Sequence, residues 1–366
     1  MNHRIKWYLD TPGRFYRAIV KISFAIRNIF PILILIRPAE PLIQAHPAGN
    51  FFWKPILWEA NISQFRKPSL TIPAQMERLA TRGMIIANKD EATSFLECVS
   101  YYRLRAYWKP FEFERDDNHS GELAFREGLD FNTIKKLYIF DRKLRLLLLD
   151  GIERIEVATR ALWTNLLAEK YGPHGYLEFA HYSKLSRHVA DLNSLKEEYT
   201  RSSDVFAEHY RTNYTIPDLP PVWIAAELMS FGLLARFINN LKHHADKNEM
   251  ANHFNIDASV LVGVLYHLGH VRNICAHHGR IWNRCFIVQF SLPKKRRHPE
   301  LSRMLNEESK GYLYNTLVMI DHFLSFIVLD NEVSDWKENL LELIKSHSEI
   351  NLSSMGFPDN WRELNI

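Results

Sequence analysis

An all-α fold is what this sequence predicts, and three observations carry the prediction. Apolar residues recur every three to four positions over long stretches, alternating patterns are scarce, and helix start and stop signals sit at the ends of the periodic stretches. The chain has 366 residues, 46% of them hydrophobic and 24% charged. That suits one large domain or two medium ones with packed cores, and it does not read as disorder.

Residues 1–65 stand apart. Pro31, Pro38, Pro41, Pro47 and Pro55 fall among many aromatics with no sustained period. They read as an irregular extension, either a loosely docked appendage or sequence translated from a start codon set too early, ahead of a helical domain at 66–366. Ser69 or Thr71 can cap a first helix, with Pro73 in its first turn, Met76, Leu79 and Ala80 following, and a stop near Gly83. Lys89 to Tyr107 is a second periodic stretch. The clearest helix covers Phe131 to Lys170, where Ile134, Leu137, Phe140, Asp141, Leu144, Leu148, Ile152, Ile155 and Thr159 form a stripe. Gly151 is placed to bend it, and Tyr171-Gly172-Pro173 ends it. Pro217, Pro220 and Pro221 break off a further helix, which restarts at Val222 and runs to about His244. Ala258 to His278 is next, then a C-terminal pair around Lys310–Leu329 and Ser334–Lys345. Phe286 to Phe290 is the only short strand candidate.

Cys98, Cys275 and Cys285 are odd in number and form no CxxC pair. That argues against a disulfide scaffold or zinc ribbon and for a reducing compartment, the cytoplasm. The longest apolar run, Phe30 to Ile36, is broken by Pro31 and bracketed by Arg27 and Arg37. A bilayer needs about 20 apolar residues, so no membrane span is expected. The basic start (Arg4, Lys6, Arg14, Arg17, Lys21) faintly mimics a signal peptide, but a charge within the apolar stretch and no clean cleavage site weigh against secretion.

The net charge is only +4, so its distribution matters more than its total. Between Asp257 and Glu300 there is no acidic residue, while Arg272, Arg280, Arg284, Lys294, Lys295, Arg296 and Arg297 crowd in with His267, His270, His277, His278 and His298. Such a basic field suits a polyanion, although a charge run is often only a solvated loop. The order Arg272-Asn273-Ile274-Cys275-Ala276-His277 sharpens the expectation. Cutting RNA without a metal needs a base for the 2′-hydroxyl proton and a cation for the charge developing on phosphorus. Histidine titrates near neutrality, and arginine offers a fork of donors matched to phosphate oxygens. Asn273 and His277 lie four apart on one helical face, continued by His270 and Tyr266. Arg272 and His277 are splayed by roughly 140° on an ideal helix, which fits a site completed by a second helix.

The spacing is not specific by itself. In a chain with 17 histidines, roughly one such pair arises by chance. The looser Arg236 to His243 match reads as an exposed helix end. His267, His270, His277 and His278 share spacings that suit a metal, but no carboxylate or thiol pair stands near them, so no metal site is assigned. Tyr101, Tyr102, Arg103, Arg105, Tyr107 and Trp108 interleave aromatics with bases, either to clamp single-stranded RNA or as core aromatics beside snorkelling arginines. The expected RNA-binding set is Arg103, Arg105, His278, Arg280, Arg284 and Lys294 to Arg297.

Several blocks together resemble the Abi-like proteins of bacterial phage defence (the AbiD and AbiF type), of the HEPN superfamily. They are Lys67-Pro68-Ser69-Leu70-Thr71, the run at 101–108, Leu137 to Arg160, Tyr171-Gly172-Pro173, and Pro-Pro-Val-Trp at 220–223 with Glu227 to Gly232. The block at 272–284 is the most specific, and Met355-Gly356-Phe357-Pro358 closes the set. The resemblance implies a HEPN-type helical bundle with additional helices, dimeric, with an Arg-x4-His motif from each chain meeting at one site. It implies that Arg272 stabilises the phosphorane, Asn273 orients the groups and His277 transfers protons, leaving a 2′,3′-cyclic phosphate and a 5′-hydroxyl. No cofactor is implied; the implied partners are RNA, a second copy, and an RNA or protein antitoxin. Two other readings stay open: a HEPN module that binds RNA or protein without cutting, and a helical scaffold using 258–299 for docking. The paired helices 258–278 are expected to meet partly through Val260, Leu261, Val264, Leu265 and Leu268, which would help drive association.

Overall fold

Proline and polar caps cut the chain into helices much as the spacing predicts. The computed structural model describes residues 68–113, 123–327 and 332–364. Residues 1–65 lie outside the described residues. The helices are α1 (Ile72–Thr81), α2 (Lys89–Cys98), α3 (Tyr101–Trp108), α4 (Phe131–Tyr171), α5 (Leu185–Arg201), α6 (Val205–Asn213) and α7 (Val222–Leu228). Then come α8 (Phe231–Asn240), α9 (His244–His253), α10 (Ala258–Ala276), α11 (Pro299–Met304), α12 (Leu313–Leu324) and α13 (Glu332–Lys345). The only sheet among the described residues pairs β1 (Glu112–Phe113) with β2 (Ala124–Phe125), antiparallel, Glu112 opposite Phe125. The fold is all-α, and these elements lie in the unit Ser69–Ile366. No described helix is long and apolar enough to cross a membrane.

Helix α4 is the spine. Asp130 caps it by accepting from the Asn132 N–H at 3.2 Å, and Gly172 ends it at φ +78°. Its 41 residues span about 60 Å at the α-helical rise. Ile134, Phe140, Leu148, Ile152, Ile155, Trp163 and Leu167 are fully buried along it, and α3, α7, α10, α12 and α13 pack around it. Gly151 does not break the helix. A Cβ there would come within 2.7 Å of both Ile320 Cγ2 and Trp336 Nε1, so the glycine lets α12 and α13 close on the spine.

Two predicted helices are subdivided by caps. Lys89 to Tyr107 splits at Val99, because Ser100 Oγ accepts from the Arg103 N–H and starts α3 anew. Val222 to His244 splits at Met229, where Ser230 accepts from the Leu233 N–H, and a separate helix starts at His244. Phe286–Phe290 is not a strand but an irregular segment, bent at Ile287–Val288, lying along α10. There the His267 Nδ1 meets the Val288 carbonyl at 2.7 Å, and Phe290 closes on Gly263.

Candidate active site

The Arg272–His277 motif sits at the C-terminal end of α10. The helix stops at Ala276, one residue short of His277, rather than at His278. Its end is a Schellman turn: the His278 N–H bonds the Cys275 carbonyl at 2.9 Å and the Gly279 N–H bonds the Ile274 carbonyl at 2.8 Å. His278 takes the left-handed position at φ +58°, usually a glycine's place. Arg272, Asn273 and His277 are exposed together on the last turn, with Arg272 Nη1 donating to Asn273 Oδ1 at 3.3 Å. A cavity of about 400 Å³ is lined by Ile344, His347, Ile350 and Trp361 near the C-terminus and holds none of these residues.

What fixes this turn is a buried polar clamp that the sequence reading did not isolate. Asp141, fully buried on α4, accepts from the Tyr107 hydroxyl at 2.7 Å and from the Arg145 guanidinium. Its other oxygen accepts the backbone N–H groups of Ile281 at 3.0 Å and Trp282 at 2.6 Å. Arg145 also reaches the Gly279 carbonyl at 3.4 Å. Burial pushes the Asp141 carboxyl up from its ordinary value, and the Tyr107, Arg145, Trp282 and Ile281 donors act against that rise. The signal was present: Asp141 and Arg145 are charged residues four apart, and Asp141 is the one charged residue in the stripe Ile134 to Thr159. A carboxylate placed there has to find donors, because a buried unpaired charge is costly.

Helix α3 docks on the same turn. Arg103 Nη1 donates to the His278 carbonyl at 2.8 Å, and Arg280 Nη1 donates to the Ala106 carbonyl at 2.6 Å. The aromatic run at 101–108 therefore divides: Tyr107 and Trp108 are core, Tyr102 and Arg105 face solvent, and Arg103 is a half-buried strut. Arg284 donates to the Arg280 carbonyl at 3.2 Å and lies near His270, whose pKa is lowered by burial and then by the Arg284 charge. The structure thus brings Arg103, His278, Arg280 and Arg284 to the motif end of α10. Lys294, Lys295, Arg296 and Arg297 are elsewhere, at the helix's opposite end, where Arg297 pairs with Asp257. Arg236 pairs with Asp191 on α5, so it braces two helices.

One further expectation changes. Val260, Leu261, Val264, Leu265 and Leu268 are buried within the single chain, with α8, α9 and α4 packed on α10. They are not free to meet a second copy. His267 is not a metal-ligand candidate: Nδ1 is engaged by Val288 and Nε2 by Thr316 Oγ1 at 2.8 Å. Since the carbonyl can only accept, Nδ1 carries the proton. Burial holds this imidazole's pKa down at about 4. Burial also pushes the Cys275 thiol up to about 12, so it offers no thiolate.

Among known families, the model described as Abi-like protein matches residues 94–283, just over half of the chain. That stretch holds α3, the Asp141 clamp and the whole 272–283 turn. No curated protein and no solved structure matches the chain.

Proposed function

The chain belongs to the Abi-like protein family, and from that premise we propose that it is a metal-independent HEPN endoribonuclease acting as an abortive-infection toxin in phage defence. The observation that carries the reading is the exposed Arg272–Asn273–His277 group on a turn held by buried hydrogen bonds. Its surroundings supply cations and no carboxylate between 258 and 299. Exposure gives a polymer access, and the buried clamp gives the rigidity that positioned catalysis requires.

His277 takes the proton from the 2′-hydroxyl. The freed O2′ attacks the adjacent phosphorus, Arg272 holds the equatorial oxygens of the phosphorane, and Asn273 orients the guanidinium it contacts. The 5′-oxygen leaves with a proton, giving a 2′,3′-cyclic phosphate and a 5′-hydroxyl. The proton donor is the His277 of a second copy, because the splay of Arg272 and His277 presents an incomplete set to one phosphate. With the apolar face of α10 buried within the chain, the two copies meet through the polar end of that helix. A small RNA or protein antitoxin restrains the enzyme until infection.

The test incubates end-labelled RNA with wild type and His277→Ala in EDTA, beside DNA of the same sequence. Wild type is expected to cut RNA in chelator, His277→Ala to lose cutting by at least a thousandfold while keeping its helical spectrum, and DNA to stay whole for want of a 2′-hydroxyl. RNA bound but uncut by wild type means a binding module. Wild-type rates in His277→Ala refute the assignment.

A further inference from the structure

The segment after the motif turns back along α10. Phe286 and Phe290 set their rings 5.2 and 5.1 Å from the His267 imidazole, Phe290 closes on Gly263, and Arg297 reaches Asp257 at the start of the helix. Residues 280–297 therefore run antiparallel to α10 over its whole length. Asp257 and His277 are 20 residues apart, which is about 30 Å at the α-helical rise.

Charge along this path is one-sided. Arg280 and Arg284 spend their donors on backbone carbonyls rather than on carboxylates. Lys294, Lys295 and Arg296 are exposed and make no ion pair among the described residues. Arg297 holds the cluster in place by pairing with Asp257, which also has His298 Nε2 at 3.7 Å. Midway, Ile287 is 90% exposed, an apolar surface between two cationic groups. Cations at intervals with an apolar face between them suit a strand that presents phosphates on one side and bases on the other.

We propose that residues 280–297 form a track for single-stranded RNA, beginning at the Arg272–His277 end and ending on the Lys294–Arg296 cluster. This rests on reading the Arg272–His277 end as an RNA site. Its consequence is that the substrate is a strand of several nucleotides extending to one side of the scissile bond, rather than a dinucleotide or a compact anion.

The test measures binding with uncleavable 2′-O-methyl RNA by fluorescence anisotropy, comparing a 4-mer with a 12-mer. Wild type is expected to hold the 12-mer at least tenfold tighter. The triple variant Lys294→Gln, Lys295→Gln, Arg296→Gln, with Arg297 left on Asp257, is expected to lose most of that advantage. Its salt-dependence slope should also fall by about two, from three lost phosphate contacts. Unchanged 12-mer affinity in the variant overturns the track. So does polyglutamate competing as well as RNA, which marks the surface as a site for acidic protein. Because the probe cannot be cut, tight length-dependent binding without cleavage of natural RNA sinks only the nuclease reading. Cleavage with length-independent binding sinks only the track.

Discussion

Replacing Asp141 by Asn tests the clamp with almost no change of shape. The amide oxygen can still accept the Ile281 and Trp282 N–H groups, now at 3.0 and 2.6 Å from the carboxylate. The amide nitrogen, however, comes to face the Arg145 guanidinium as a donor facing a donor. Arg145, its side chain only 5% exposed, is left as a buried guanidinium without its counter-charge. Removing one partner of a buried pair costs about 3–5 kcal/mol, a large fraction of the roughly 5–15 kcal/mol that holds a domain folded. With a urea slope of about 3 kcal/mol/M, the unfolding midpoint falls by roughly 1–1.7 M. Adding Arg145→Met removes the stranded charge and is expected to recover part of the loss, a coupling that a double-mutant cycle reads directly. A midpoint shift equivalent to less than about 1 kcal/mol, or a double variant weaker than the single, would refute the argument that the pair is held by charge.

The remaining predictions concern the spine and α10. Gly151→Ala places a methyl within 2.7 Å of Ile320 and Trp336, so thermal unfolding is expected to show a loss of about 1–3 kcal/mol. An unchanged Tm would mean that α12 and α13 are not seated on α4 there. His267 has a folded pKa of about 4 against 6.5 for the ordinary imidazole, so the unfolded chain takes up the proton first as pH falls. Stability present at pH 7 is therefore lost between about 6.5 and 4, with about 2 kcal/mol gone by pH 5. Urea titrations at pH 7 and 5 read this, and a His267→Gln chain showing the same pH slope would exclude His267 as its source.

Helix identity and the motif were legible because both are local properties. The stripe on α4 and the Arg272-to-His277 order are set by neighbours along the chain. What the sequence hid is non-local. Ser100 and Ser230 decide the breaks at Val99 and Met229, and a serine inside a periodic stretch can cap a helix or sit on its face. The single basic interval read from 258 to 299 becomes two groups because the chain doubles back at Trp282, a turn decided by Asp141 on another helix. The apolar face of α10 was visible as a face. Whether it meets the same chain or another copy depends on α8 and α9, which periodicity alone cannot place.

The clamp also bears on synthesis. Asp141 lies 140 and 141 residues before the backbone groups it binds, and Arg103 lies 175 before the carbonyl it binds. Contacts of that span require closing a long loop, and they form only after the distant partner has left the ribosome. A nascent chain short of Ile281 and Trp282 can wind α4 and α10, yet the turn bearing His277 lacks the two backbone N–H groups that tie it to Asp141. On the proposed reading, the His277 turn takes its working shape only once Trp282 has left the ribosome, so synthesis of the motif and its activation are separate events.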